Sequence, residues 1–489
     1  MAYRYGNRYQ LGLLPQSIED YVTQEDPVRA YDAFVEALDL NALGIEIDPN
    51  RVGNVPYDPR AMLKLLVYGY SYGVKSSRKL ERETHHNISF IWLMGGLKPD
   101  HKTIAEFRRK NKKALAGVLK QCARLCIKLN LIAGNVLFVD GTKIRANASR
   151  SEFHDHAYYE HRLSEIDRRI EQLLEECEGV DQQEEDVGSY VAMERELAQA
   201  GRLKSKVEEA LKACTETGRE EINLIDSGCA LMHSVHGSHA SYNVQSVVDD
   251  KHGLIVHTEA VSETSDVNQF ARQIEQANEV VEERCLVACA DAGYADTEEL
   301  AKIDGQGIRV IVPSQRQALH EEEGSFSKSH FTYDKGQDCY RCPEGHRLRY
   351  VGIERKSGNR RWPFGQRHYQ ITDGKICHGC VHYGPCTTAK KGRKIIRLSQ
   401  EEIKEKLEAQ YEEAASQTIY ARRKERVEHP FGHIKRNLKT DAFMVRGRSG
   451  AQAETSLLAT CFNIARMITI WGVAGMIQRL SSLTATAPG

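Results

Sequence analysis

Two aspartates, Asp140 and Asp291, each follow a short apolar run of the kind that forms a buried β-strand. Residues 136–139 read VLFV before Asp140, and residues 284–294 read RCLVACADAGY around Asp291. Such runs suit strands that are buried on both faces, and a carboxylate at the end of one lies where α/β sheets usually bind ligands. Two carboxylates delivered by two strands are typical of a divalent-metal site. The alternative is that each aspartate only begins a turn.

A third carboxylate, Glu428, lies in a long helical stretch that follows Gln400. The stretch ends in QTIYARRKERVEHPFGHIKRNLKTDAF and also carries Tyr420, Arg423 and Lys435. Lys435 lies seven positions after Glu428, which is nearly two helical turns and places both on one face. Pro430 either kinks this helix beside Glu428 or begins a new one.

The charges of the chain are segregated. The 489 residues have a net charge of only −1, but residues 51–130 hold 17 Lys/Arg against 5 Asp/Glu, a net of +12. Residues 151–225 hold 9 against 20, a net of −11, and residues 416–450 hold 9 against 3, a net of +6. Basic blocks in a near-neutral chain indicate a polyanionic partner that touches selected faces. Within the first block, Arg108, Arg109 and Lys110 form a cluster on a predicted helix; an ordinary solvated face is the alternative.

No segment of the sequence predicts export or membrane insertion. The N-terminus lacks the apolar core of a signal sequence. The apolar stretch 457–477 contains Asn463 and Arg466, and an arginine at the centre of a membrane helix costs about 3 kcal/mol. We therefore expect a buried helix there, no membrane contact and a cytoplasmic location.

Five of the 13 cysteines are clustered between positions 339 and 386. Cys339 and Cys342 form one C-x2-C pair, Cys377 and Cys380 form a second, and Cys386 follows six residues later. In a reducing compartment paired C-x2-C motifs indicate Zn²⁺ rather than disulfides. Five thiols compete for four ligand positions, so we predict Cys342, Cys377, Cys380 and Cys386, with Cys339 as the rival fourth ligand. Buried free cysteines are the alternative.

The order of the predicted elements is that of a ribonuclease-H-like α/β fold with a mixed sheet. A strand at 134–140 is followed by a hairpin at 242–261, a helix, a strand at 284–291, a helix and a strand at 308–313. Long amphipathic helices with an acidic surface are inserted after the first strand. The predicted domains are a helical N-terminal domain at 1–130, a catalytic core at 131–150, 225–313 and 411–475, an acidic helical hairpin at 151–224, a Cys-rich insert at 314–410 and a flexible tail at 476–489.

Taken together, the motifs VDGTKI, YNVQSVVD, ADAGY and Y-x2-R-x4-E-x6-K resemble those of bacterial insertion-sequence transposases of the DDE class. The branch in question carries a Tyr-Arg-Glu-Lys signature around its third acid and an InsH-type helical N-terminal domain, which the stretch beginning YDPRAMLKLL resembles. In the usual signature Arg and Glu are three residues apart, whereas four residues lie between Arg423 and Glu428, and Lys424 stands at the usual spacing.

The resemblance implies Asp140, Asp291 and Glu428 as ligands of two Mg²⁺ ions, with Mn²⁺ as a substitute. Two such ions about 3.5–4 Å apart serve the attacking and leaving oxygens of phosphodiester cleavage. Tyr420, Arg423 and Lys435 would contact DNA near the cut, and Arg108, Arg109 and Lys110 would help to hold it. The implied partners are double-stranded DNA, both terminal inverted repeats and target site, and further copies of the chain in a homodimer or larger synaptic assembly.

Two other functions fit the same sequence. One is a catalytically silent, domesticated DNA-binding protein that uses only the helical and cysteine-rich modules. The other is a structure-selective nuclease on the same fold. The presence of all three acids favours an active enzyme over the first, and the large inserts and basic N-terminal region favour end recognition over the second.

Overall fold

The structure is a computed structural model that describes residues 17–45, 56–181, 187–234, 237–319, 326–357, 360–398 and 400–485. The chain forms two compact units. The first comprises Met1–Ala288 and Arg422–Gly489, and the second comprises Cys289–Ala421. The described residues form a mixed α/β structure, with six α-helices before the first strand.

The N-terminal helices are α1 (Pro27–Glu36), α2 (Pro59–Ser71), α3 (Ser77–His86), α4 (Ile88–Leu93), α5 (His101–Lys110) and α6 (Lys112–Lys128). Their starts are set by local sequence. Asp26, Asp58 and Asp100 cap α1, α2 and α5, each accepting a hydrogen bond from a backbone N–H of the first turn. Proline at the first helical position of α1 and α2 adds to this, because that position needs no N–H donor.

The next part of the chain contains the strands of the first unit and the acidic helices. In chain order the elements are β1 (Val136–Arg145), β2 (Phe153–Asp155), α7 (His156–Asp181), α8 (Val187–Thr217), β3 (Glu221–Asn223), β4 (Ala230–Ser234), β5 (Gly237–Asp249), β6 (Ile255–Val261), α9 (Phe270–Val281) and β7 (Val287–Cys289). Helices α7 and α8 pack on each other, and the short antiparallel pair β2–β3 lies at their base.

Strand β5 is the centre of the sheet in the first unit. It pairs antiparallel with β1, β4 and β6. The predicted hairpin at 242–261 is thereby confirmed. The prediction that the first strand ends at Asp140 is wrong, because β1 continues to Arg145. Residues 141–145 keep pairing with β5, which supplies backbone hydrogen bonds that a turn at Gly141 would give up.

The remaining elements, in chain order, are α10 (Thr297–Asp304), β8 (Arg309–Ile311), α11 (Gln315–Ala318), β9 (Thr332–Asp334), β10 (Cys339–Arg341), β11 (Arg347–Ser357), β12 (Arg360–Ile371), α12 (Gly374–His378), β13 (Lys394–Leu398), α13 (Glu401–Glu412), α14 (Ala414–Gly432) and α15 (Arg448–Ala485). A π-helical turn, His433–Asn437, follows α14. In the second unit β9 to β13 form an antiparallel sheet in the order β13-β12-β11-β10-β9.

Helix α15 is the core helix of the first unit and packs against α1, α2, α6 and β6. Asn463 is fully buried and pairs with both backbone groups of Ile255, accepting from its N–H and donating to its C=O. Among the described residues α15 is also the one helix long and apolar enough to span a membrane, by length and composition only, and 56% of its most apolar stretch is buried. Helix α15 is kinked at Gly472, whose φ of 70° and ψ of 173° are not helical. Residues 476–485, predicted as tail, lie in the helical part after this kink, and 486–489 lie outside the described residues.

Candidate active site

Asp140 lies in the middle of β1, opposite Ser246 of β5. The three residues before it, Leu137 to Val139, are fully buried, whereas 20% of the Asp140 side chain is exposed. Its Oδ1 accepts a hydrogen bond of 2.9 Å from the Gly141 N–H. A carboxylate that leaves a rigid, buried strand in this way has a fixed position and can still reach a ligand from solvent.

Arg423 of α14 reaches Asp140. Its Nη1 lies 3.6 Å from Asp140 Oδ2, and only 15% of the Arg423 side chain is exposed. This distance is too long for a good hydrogen bond but short enough for a strong charge interaction in a partly buried place. Arg423 is therefore the basic residue that lies next to Asp140, whereas its neighbour Lys424 is exposed.

Lys435 approaches the same face of β1 from the π-helical turn. Its Nζ donates a hydrogen bond of 2.5 Å to Thr142 Oγ1. Asp140 and Thr142 are two residues apart in a strand, so their side chains share a face. Burial lowers the pKa of Lys435, and Asp441 partly opposes this shift. The structure therefore brings together one carboxylate and two cations, contributed by β1, α14 and the π-turn.

Glu428 lies on α14 between Arg423 and Lys435 and is exposed to solvent. The alternative in which a new helix begins at Pro430 is wrong, because α14 passes through this residue to Gly432 and the π-helical turn follows. A π-turn within a helical segment is a frequent feature of functional sites. Here it carries Lys435.

Asp291 and Tyr420 belong to the second unit. Asp291 follows β7 after one residue and caps the short 3-10 turn Ala292–Tyr294, where its Oδ1 accepts a hydrogen bond of 2.8 Å from Gly293 N–H. The Tyr420 ring packs edge to face on Tyr411, with 5.2 Å between ring centres. Both side chains are partly exposed.

A polar network on the other face of β1 is not predicted from the sequence. Asp266 Oδ1 accepts hydrogen bonds from Asn243 Nδ2 (2.8 Å) and Gln245 Nε2 (2.7 Å). Gly141 lies directly against it, since a Cβ there would meet Gln245 Nε2 at 2.5 Å and Asp266 Oδ1 at 2.7 Å. The available signal is that Asn243 and Gln245 stand at alternate positions of the strand-forming run YNVQSVV, which places both on one face.

The basic cluster of α5 is divided by burial. Arg108 is only 8% exposed; its Nη2 donates a 2.8 Å hydrogen bond to the Lys75 carbonyl, and its guanidinium lies over the Tyr70 ring. The expectation that it contacts DNA is therefore corrected, because its donors face the interior. Arg109 and Lys110 are exposed and pair with Glu106. These hydrogen bonds hold the pKa of the exposed Glu106 carboxyl at about 2.

Four cysteines of the second unit border one cavity, which is lined by Cys342, Cys377, Cys380 and Cys386 together with apolar side chains that include Phe331 and Leu348. Burial raises the pKa of Cys386; Arg393 opposes the shift, and the other three thiols add to it. Cys339, the rival ligand, is buried in β10 and does not line this cavity.

No preformed metal site is present among the residues that the structure describes: no three His, Cys, Asp or Glu side chains are grouped closely enough to hold an ion. The donor chemistry nevertheless suits Mg²⁺, because the partly exposed Asp140 of β1 and the exposed Glu428 of α14 both offer carboxylate oxygens. Arg423 and Lys435, the cations beside Asp140, are side chains that bind phosphate groups, and Mg²⁺ is usually bound together with such groups.

The fold and this site define a mixed α/β protein in which an acid on β1 lies beside two cations, one from α14 and one from the π-helical turn. Residues 16–110 match the family model described as a transposase domain (DUF772), and residues 341–468 match the one described as a transposase DDE domain. The second match contains Arg423, Glu428 and Lys435 but neither Asp140 nor Asp291. No curated protein matches the chain. The two matches support an insertion-sequence transposase of the DDE class, a family that normally uses divalent metal ions and has DNA as its partner.

Proposed function

We propose that this protein is a DNA transposase that binds the terminal inverted repeats of an insertion sequence, cleaves the ends and transfers the 3′ ends to target DNA. The observation that carries the proposal is the meeting of Asp140, Arg423 and Lys435 on one face of β1. A metal-binding acid beside two cations is what cleavage of a charged phosphodiester needs, and the two transposase matches point to DNA as the source of that phosphodiester.

Asp140, Asp291 and Glu428 are proposed as the metal ligands on a ribonuclease-H-like core. When bound, two Mg²⁺ ions would supply Lewis-acid stabilisation of the attacking and leaving oxygens. The rigid strand β1 gives Asp140 a constant position, so this part of the site is organised before DNA arrives. Glu428 would reach the metal ions from the helical segment between Arg423 and Lys435. These two residues connect that segment to β1.

Arg423 and Lys435 are proposed to hold the phosphates beside the cut, each in its own way. The planar guanidinium of Arg423 can bind two phosphate oxygens at once, whereas the ammonium of Lys435 acts as a point charge. The Thr142 hydroxyl fixes Lys435 Nζ, so little side-chain freedom is lost when a phosphate binds. Tyr420 is proposed to stack on or hydrogen-bond the DNA backbone.

The N-terminal helices are proposed to hold the DNA ends, with Arg109 and Lys110 as phosphate contacts. Two ends must be processed together, which requires a dimer or larger synaptic assembly. The proposed location is the cytoplasm, at the nucleoid. A catalytically silent DNA-binding protein is the second candidate. The position of Asp140 beside Arg423 and Lys435 favours the enzyme, because binding of DNA alone needs the cations but no acid between them.

The decisive experiment incubates the purified chain with Mg²⁺ and the DNA that flanks its gene, and maps every cut and joined product. We expect cleavage at the inverted repeats, loss of cleavage in Asp140→Asn, Asp291→Asn and Glu428→Gln, and nearly unchanged end binding in all three. Glu425→Gln, an exposed acid on the same helix, is the matched control and should cleave normally.

Other outcomes of this experiment decide against the proposal. End binding without cleavage, with either Mg²⁺ or Mn²⁺, would identify a silent DNA-binding protein. Cleavage that ignores the repeats and yields no joined product would identify a nuclease. Near-normal cleavage by any one of the three variants would remove that residue from the triad.

A further inference from the structure

The cysteine-rich region of the second unit is built around two tight turns. Cys342 directly follows β10 and begins the first turn, in which Gly345 N–H donates to the Cys342 carbonyl at 2.8 Å and Cys342 N–H donates to the His346 carbonyl at 2.9 Å. Cys377 lies in the short helix α12, and Cys380 N–H donates to the Cys377 carbonyl at 3.2 Å. Each turn therefore presents sulfur from a hydrogen-bonded, rigid backbone.

Two of the sulfurs also accept backbone hydrogen bonds. His382 N–H donates to Cys380 Sγ, and Arg393 N–H donates to Cys377 Sγ, each across 3.4 Å between nitrogen and sulfur. Such contacts stabilise negative charge on sulfur, and the thiolate is the form that binds a metal. A purely apolar packing of cysteines has no need for N–H groups directed at sulfur.

The segment after the second turn packs closely against Cys377. Gly392 has a φ of +77°, and a Cβ there would meet Ile371 Cγ2 at 2.4 Å and Cys377 Sγ at 3.0 Å. A Cβ on Gly374 would meet the Lys390 carbonyl oxygen at 2.5 Å. Glycine at both positions lets the two ends of the loop 374–393 pack closely together beside Cys377, while the four thiols stay partly exposed.

From this geometry we propose that Cys342, Cys377, Cys380 and Cys386 bind one structural Zn²⁺ ion. The four thiols border one cavity, come from two turns and one following loop, and match the all-sulfur ligand set of closed tetrahedral zinc sites. Within the described part of the chain the thiols are not grouped at coordination distance, so their side chains close on the ion as it binds.

The structure also selects four thiols out of five. Tyr340 belongs to the small apolar core against which Cys342, Cys377 and Cys386 pack. Cys339 precedes Tyr340 in β10, and successive residues of a strand point to opposite faces. Cys339 is therefore directed away from the cavity, although it is buried.

The bound ion ties the loop 374–393 to the turn between β10 and β11. The core here is small, with six buried apolar or aromatic residues, and small cores commonly depend on a metal for stability. This role is independent of the metal chemistry proposed at the acids.

The test uses the full chain, produced with added zinc and purified without chelator, and measures metal by mass spectrometry. We expect about one zinc per chain. Cys342→Ser, Cys377→Ser, Cys380→Ser and Cys386→Ser should each lose most of it, whereas the matched control Cys339→Ser should keep it. To separate this site from the acids, Asp140→Asn with Glu428→Gln should also keep its zinc.

A second measurement avoids variants that fail to fold. Cobalt-substituted wild-type protein should show the strong sulfur-to-cobalt absorption of a tetrahedral thiolate site, and a thiol-specific mercurial should release zinc in step with thiol modification. Wild-type protein without zinc, a cobalt spectrum without sulfur bands, an equal loss in Cys339→Ser, or a disulfide between two of the four cysteines would each overturn the proposal.

Discussion

Asp140 and Gly141 show how much two neighbouring residues of one strand can differ in their roles. The side chain of Asp140 points to the face that meets Arg423, while Gly141 leaves room on the other face for Asp266, Asn243 and Gln245. At these two adjacent positions, polar groups therefore lie on both faces of β1. A register slip of one residue would exchange the two faces, so the pairing of β1 with β5 determines where the acid points.

At the residue scale we predict that Gly141→Ala disturbs the Asp266 network and the site with it. The new methyl group would lie 2.5 Å from Gln245 Nε2 and 2.7 Å from Asp266 Oδ1, closer than packed side-chain atoms approach one another. The expected cost is about 1–3 kcal/mol in the free energy of unfolding, measured by urea titration, with cleavage reduced as well.

Gly201→Ala is the control for this substitution. Gly201 lies in α8 with open space around its Cβ position, and alanine in a helix is about 1 kcal/mol better than glycine. It should therefore be neutral or slightly stabilising. If the two variants unfold at the same urea concentration, the close packing described at Gly141 is wrong.

At the element scale, α14 contacts three different parts of the first unit. Arg422 and Arg426 both pair with Asp250 in the loop between β5 and β6, His429 packs on Phe462 of α15, and Arg423 reaches β1. All of these contacts lie within the first unit. The helix segment that carries Glu428 is therefore tied to the sheet, to the core helix and to the strand of the first acid.

We predict that Asp250→Asn lowers cleavage several-fold while end binding remains. Losing the shared carboxylate frees Arg422 and Arg426 and lets the Glu428 segment move, although a partly exposed ion pair contributes only about 1 kcal/mol or less to stability. Small misplacements of a catalytic group are costly to the rate. Gel-based cleavage and binding assays on the same DNA separate the two effects.

Glu425→Gln again serves as the matched control, because Glu425 pairs with Arg426 but its side chain is 77% exposed. It should leave cleavage unchanged. Equal activity of Asp250→Asn and Glu425→Gln would mean that the Asp250 contacts do not position the helix.

How far the sequence predicts these elements depends on whether each one is determined by neighbouring residues or by contacts between residues that are distant in sequence. The hairpin of β5 and β6 and the helical segment that carries Glu428 are local patterns, and local patterns suffice for them. The extension of β1 past Gly141 escapes prediction because a glycine after an aspartate is typical of a turn, and only the partner strand decides otherwise. The burial of Arg108 escapes it too, because that burial depends on Tyr70 and the Lys75 carbonyl, which are distant in sequence.

At the scale of the whole molecule, the uneven charge distribution has a structural counterpart. The basic N-terminal helices and the basic end of α14 both belong to the first unit. Not all of that charge is available, however, because Arg108 and Lys75 are each only 8% exposed. Lys75 Nζ donates hydrogen bonds of 3.0 Å to the Lys439 carbonyl and to the Thr440 hydroxyl. The charge that can face a polyanion is therefore smaller than the sequence count.

We predict that Arg109 and Lys110 together contribute about two phosphate contacts to DNA binding. Each contact changes the slope of log K against log salt by about 0.9 on duplex DNA. The double variant Arg109→Ala/Lys110→Ala should therefore bind more weakly and flatten this slope by about 2. Binding titrations at several salt concentrations measure both quantities.

Glu106→Gln provides the opposite change in the same place. It removes the carboxylate that pairs with both cations, so binding should become tighter. Unchanged affinity and slope in both variants would show that α5 is an ordinary solvated face. DNA recognition would then have to be sought elsewhere, first at the basic segment around Arg423 and Lys435.

The ribbon of β2 and β3 has a consequence for how this protein can change over time. Phe153 pairs with Asn223 and Asp155 with Glu221, so the insert of α7 and α8 begins and ends at neighbouring points of the first unit. The helices beyond have a core of their own, formed around Tyr159, Ile166 and Val207. Insertions and deletions beyond this ribbon leave the register of β1 and β5 untouched, and a longer loop costs little closure entropy. The insert of α7 and α8 is therefore the part of the chain whose length can change during evolution without moving Asp140 on β1. A reporter domain can be inserted there for the same reason.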